Sequence, residues 1–114
     1  MAPKRNPKKW NKLQLTTLAL FQGFADSDLA GPGENEGEIY IGQISQPHGN
    51  YFHVGSGVVM TKDAIGVNNL GVWAALNLKG LMRSGVLPFT STLTLEGLEY
   101  ETEMKEQIIH PSDH

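Results

Sequence analysis

Residues 61–100 read TKDAIGVNNLGVWAALNLKGLMRSGVLPFTSTLTLEGLEY, and their order of signals decides the fold. Thr61 to Gly66 predicts a short helix with Asp63 in its first turn. Asn68 or Asn69 caps a second one through Val72-Trp73-Ala74-Ala75-Leu76, since an asparagine oxygen accepts from the free N–H groups of a first turn. Gly80 ends it, as the residue type that takes a left-handed conformation without cost. Met82 to Leu95 is expected to be extended, with a loop marked by Gly85 and Pro88. Thr94 caps a last helix, from Leu95 to about Ile109.

Working outward, Asn6-Pro7 predicts a helix start, because proline is tolerated at the first helical position. The run to about Ala25 sets Trp10, Leu13, Thr17, Leu20, Phe21 and Phe24 on one face, and Leu15, Leu18 and Ala19 widen it. Residues 26–37 (DSDLAGPGENEG) read as a flexible loop. Glu38–Ser45 and Tyr51–Met60 read as two strands of one hairpin joined through Gln46–Asn50. Strand alternation groups Phe52, Val54, Val58 and Met60 on one face, with Tyr51, His53 and Val59 on the other. Residues 110–114 are expected to be a frayed tail.

The segment Val72–Arg83 resembles the end of the recognition helix in MarR-like and PadR-like winged helix-turn-helix regulators. In those families a Leu, three residues, Gly and Leu lead into the wing, as Leu76 to Leu81 do here. Leu93-Thr94-Leu95-Glu96-Gly97 is similar to the Leu-Thr-x-x-Gly signature after their wing. The resemblance implies an α+β, winged-helix-like domain: long N-terminal helix, β-hairpin, helix-turn-helix-like unit and C-terminal helix. It departs at the hairpin, where the family has a helix, and at the wing, Ser84–Phe89, which has no basic residue.

Length and charge bound the rest. The chain has 114 residues, enough for one domain spanning 1–114, and 39% of them are hydrophobic. It has no cysteine, which excludes disulfides and thiolate chemistry. No apolar run approaches the ~20 residues of a membrane span, and no secretory signal precedes the domain, so a cytoplasmic, bacterial-type compartment is expected. The net charge of −3 is unevenly spread. Lys4, Arg5, Lys8, Lys9 and Lys12 crowd a basic start whose arm is residues 1–6. From Leu13 onward, four basic residues face all twelve acids, a net charge of −8. An acidic body is not the usual footprint of a DNA-binding domain.

Three functions remain open. Helical geometry turns Val72, Trp73, Ala75 and Leu76 inward and Leu70, Gly71, Ala74, Asn77 and Leu78 outward. Base edges are read by Arg, Lys, Asn or Gln. An apolar stripe instead marks a protein interface, or a helix buried on both sides. Leu70, Ala74, Asn77 and Leu78 are therefore candidates for binding a protein partner or a second copy. DNA binding is the alternative: Lys4, Arg5, Lys8, Lys9 and Lys12 on phosphates, with Asn68, Asn69 and Asn77 on bases. The third is metal binding by His48 and His53, joined by His110, His114 or Asp113, against the simpler reading of a turn histidine and a strand histidine.

No enzyme signature is present. Gly55-Ser56-Gly57 lacks the spacing of a nucleophile elbow, and there is no P-loop or dinucleotide fingerprint. Glu99 and Glu103, four apart, are like charges on a solvated face rather than a catalytic pair. No cofactor is expected.

Overall fold

The computed structural model describes residues 10–27, 30–44, 49–54, 57–86 and 89–111. Its centre is helix α1, Lys12–Ala25. Every residue from Thr16 to Phe24 is buried, so α1 is covered on all sides rather than amphipathic. It starts later than the Asn6-Pro7 signal suggested. Asn11 is extended (φ −81°, ψ 173°) and forms a reciprocal capping box with Gln14: Gln14 N–H donates to Asn11 Oδ1, and Asn11 N–H to Gln14 Oε1. A helix cannot run through that residue, and two satisfied donors fix the start there. Asn6 and Pro7 lie outside the described residues.

Two antiparallel sheets flank α1. The first holds β1 (Ala30–Pro32), β2 (Ile39–Ile41), β5 (Met82–Ser84) and β6 (Ser91–Leu93), in the order β1-β2-β6-β5. The second holds β3 (Tyr51–Val54), β4 (Gly57–Met60) and β7 (Ile109–Pro111), in the order β3-β4-β7. The fold is thus α+β.

These pairings correct four expectations. The 26–37 stretch contains strand β1, which pairs with β2. Among the described residues, the expected strands Glu38–Ser45 and Tyr51–Met60 do not pair with each other; Ile39–Ile41 lies between β1 and β6, while Tyr51–Val54 pairs with Gly57–Met60. The antiparallel register of these two strands sets Phe52 opposite Val59 and His53 opposite Val58. Phe52, Val54 and Val59 are therefore buried together, and Tyr51, His53, Val58 and Met60 form the outer face. The expected fraying begins too early, since Ile109–Pro111 is a strand on β4; residues 112–114 lie outside the described residues.

The 61–66 helix is replaced by two 3-10 turns, Thr61–Asp63 and Ile65–Asn68. Helix α2, Leu70–Leu78, follows, capped by Asn69, whose side-chain oxygen accepts from Val72 N–H. It ends before Gly80, at φ +78°. The β5–β6 hairpin comes next. The long C-terminal helix is instead α3 (Leu95–Glu99) and α4 (Lys105–Ile108). Thr94 caps α3 by accepting from Gly97 N–H, but Tyr100 is extended and Glu103 has φ 60°, so no helix runs through. No helix among the described residues is long and apolar enough to cross a membrane.

Candidate interaction surfaces

Helix α2 divides cleanly into two sides. Val72, Trp73 and Leu76 are buried, and Trp73 Nε1 donates to Val67 O at 2.8 Å, tying the helix to the turn before it. Leu70 (71% exposed) and Leu78 (84%) point outward, with exposed Ala74 between them. Ile65, 65% exposed, lies on the 3-10 turn leading into the helix. Leu70, Ala74 and Leu78 are spaced by four and make one ridge.

The residues suited to DNA are less available. Asn69 Oδ1 is occupied in capping α2, and Asn77 Nδ2 donates to Trp73 O at 2.9 Å. Asn68 is exposed on its 3-10 turn. Lys4, Arg5, Lys8 and Lys9 lie outside the described residues. Lys12 is exposed at the start of α1 and lines a shallow cavity with Leu13, Lys62, Asp63 and Ile65. The entry of the basic segment and the approach to α2 are therefore neighbours.

His48 also lies outside the described residues. His53 is exposed on β3, and His110 is exposed on β7. Both register opposite Val58 on the intervening strand. Two strand spacings separate their backbones by about 9.6 Å. Among the described residues no three His, Asp or Glu side chains converge as metal ligands.

Two polar sites escaped the sequence reading. On the outer face of the four-stranded sheet, register aligns Gly31, Tyr40, Thr92 and Arg83 in one row. Arg83 Nη2 donates to Glu38 Oε1 at 2.7 Å and to Glu34 Oε1 at 3.3 Å. Glu38 is buried, and Asn35 donates to it from its backbone N–H and from Nδ2. The Asn35 side-chain bond and the Arg83 guanidinium hold the Glu38 carboxyl below the usual carboxylate range, against the opposing effect of burial. The bond to Glu38 in turn raises Arg83. Arg83 Nε is buried without a hydrogen-bond partner among the described residues. Tyr40, Thr92, Arg83 and Glu34 line a cavity of about 370 Å³ beside this network. Arg83 and Glu38 are 45 residues apart, so no local spacing announces the pair.

The second site lies at the C-terminal end of α1. Gln22, 5% exposed, donates from Nε2 to Gly97 O and Tyr100 O, both at 2.9 Å. Glu101, Thr102, Glu103, Lys105 and Glu106 complete the wall of a cavity of about 490 Å³. The segment with positive-φ Glu103 separates α3 from α4 and curls these carboxylates around the helix end.

Family models, curated proteins and solved structures were compared with the chain, and none matches.

Proposed function

We propose that the chain is a non-enzymatic interaction module on a degenerate winged-helix-like scaffold, and that it pairs with a second copy through the outward face of α2. The winged-helix part of this reading is supported by element order: α2, then the β5–β6 hairpin, then capped α3. The observation that carries the function is the exposure of Leu70 and Leu78 on either side of Ala74. Apolar side chains grouped on one ridge gain free energy when covered, about 25 cal/mol per Å² removed from water. The ridge is large-small-large about Ala74. A two-fold axis through Ala74 therefore lays each Leu70 over its partner's Leu78, the self-complementary pattern of an isologous contact.

Sedimentation velocity on purified protein tests this. The native chain is expected to gain mass with concentration, in 0.5 M salt as well as at low salt. Leu78→Glu is expected to stay monomeric with an unchanged urea midpoint. Identical monomeric profiles for both proteins would sink the proposal.

A second reading, duplex DNA binding, is favoured by the cavity that Lys12 and Lys62 share near the approach to α2. It requires salt-sensitive binding to duplex DNA, because phosphate contacts release counterions. That binding should disappear in Lys8→Glu/Lys9→Glu. No retention of DNA by the native protein at low salt would end this reading.

A further inference from the structure

Across the outer face of the four-stranded sheet, Tyr40, Thr92 and Arg83 stand in one row on β2, β6 and β5. Gly31 ends the row beside Tyr40, and a Cβ there would meet nothing within 4 Å, so that flank of the tyrosine is open. Tyr40 is 43% exposed. These three side chains and Glu34 line the cavity of about 370 Å³. That volume lies at the small end of ligand pockets, enough for one compact molecule.

The two carboxylates beside Arg83 do not use up its guanidinium. An arginine has five N–H donors. Both of the bonds to glutamate leave from Nη2, and Nε is buried with no acceptor among the described residues. A buried donor without an acceptor is unfavourable, so the site favours a further acceptor. The two bonds are also unequal. Glu38 is buried, lies at 2.7 Å and is held in addition by Asn35. Glu34 lies at 3.3 Å and its side chain is 84% exposed. Glu38 is therefore part of the scaffold, while Glu34 can swing aside and admit a ligand group between itself and Arg83.

Charge narrows the chemistry of that group. One arginine faces two glutamates, which leaves one net negative charge. A carboxylate or phosphate entering here meets that negative charge, and an ammonium meets the guanidinium next to Glu34. A hydroxyl meets neither penalty, because it accepts from Arg83 and donates to Glu34 at once. Beside this pair, the open Tyr40 ring offers an apolar body with a polar tip.

We infer that the cavity binds a neutral sugar ring, with adjacent hydroxyls bridging Arg83 and Glu34 and a C–H face laid on Tyr40. The site shares no residue with the ridge of Leu70, Ala74 and Leu78, so it stands apart from pairing through α2.

An NMR titration of full-length protein tests this, following backbone amides. The probes are the methyl glycosides of glucose, galactose, mannose and N-acetylglucosamine. At least one should shift the amides of Tyr40, Thr92 and Arg83 with millimolar affinity. The affinity should be the same at low and high salt, since a neutral ligand is not screened. Tyr40→Ala removes the platform and Glu34→Ala the hydroxyl acceptor; each should weaken binding about tenfold or more. Thermal melts verify folding, and Glu34 is exposed enough to be removed without disturbing the core. Tyr51→Ala, which removes an exposed tyrosine from the other sheet, should bind as the native protein does. No shift at these amides with any of the four glycosides overturns the inference. So does undiminished binding in Tyr40→Ala or in Glu34→Ala. Sodium acetate and methylammonium chloride serve as charged comparisons, and tighter binding of either at these amides would replace the sugar with an ionic ligand.

Discussion

The indole of Trp73 stands edge-on to the ring of Phe21, with 5.3 Å between centroids and 90° between planes. Its Nε1 simultaneously donates to Val67 O. These two contacts fix the rotation of α2 about its own axis against α1. That rotation decides which residues face water, so the exposed ridge of Leu70, Ala74 and Leu78 is a consequence of how Trp73 is seated. Trp73→Ala is expected to cost about 3–5 kcal/mol in urea unfolding. In a cycle with Phe21→Leu, the ring pair itself should couple by about 0.5–1.5 kcal/mol. Strict additivity of the two substitutions would show that the ring contact contributes nothing beyond burial.

Gly97 is expected to tolerate no side chain. A Cβ there would collide with the Leu81 carbonyl oxygen. The approach is close because Thr94 joins the two segments: its hydroxyl donates to Gly80 O at 2.7 Å and accepts from Gly97 N–H at 3.0 Å. Gly97→Ala should cost about 1–3 kcal/mol through forced backbone shifts. Gly31→Ala is the control, since a Cβ at Gly31 has open space around it. Equal melting temperatures for the two variants would contradict this packing.

What could be read from the sequence was local. Asn69, Gly80 and Thr94 act within four residues of themselves, and each does at its helix end what its type favours. The inward and outward sides of α2 follow from helical spacing alone. Pairing partners were not legible. Glu38–Ser45 and Tyr51–Met60 both favour strand, but nothing in either states that Ile39–Ile41 will lie beside Ser91–Leu93. Asn6 and Asn11 are equal as caps by type; Gln14, three residues after Asn11, completes the capping box. The last helix failed because Glu103 at φ 60° interrupts a stretch of otherwise helix-compatible residues, and glutamate gives no warning of that conformation. The Arg83 network and the Gln22 cavity are assembled across 45 and 75 residues of sequence, beyond any motif.

Acid should weaken the fold in part through Glu38. Its folded carboxyl titrates below its ordinary value of 4.5, chiefly because Asn35 and Arg83 donate to the charged form. A carboxyl depressed on folding stabilises the protein fully above its unfolded value. That contribution is lost as pH falls below 4.5 toward the folded value. Urea midpoints measured from pH 7 to pH 3 should therefore drop more for the native protein than for Glu38→Gln, which has no proton to bind there. At pH 7 the variant should be the less stable of the two. Parallel curves for both proteins would rule out a contribution from this carboxylate.

Ala74 gives the sharpest test of how α2 pairs. On a two-fold axis through this residue, each Ala74 meets its own copy, so a substitution is felt twice at the point of closest approach. A small residue there lets the helices come within about 8 Å. Ala74→Leu adds apolar area and is a good helix former, so the isolated chain should keep its stability. Self-association should nevertheless fall, because the added bulk at the axis lifts Leu70 and Leu78 off their partners. Simple burial of apolar area in any other arrangement predicts the reverse, since the larger residue would strengthen the contact. Equilibrium sedimentation of Ala74→Leu beside the native protein separates the two. Tighter association of the leucine variant would remove Ala74 from the axis.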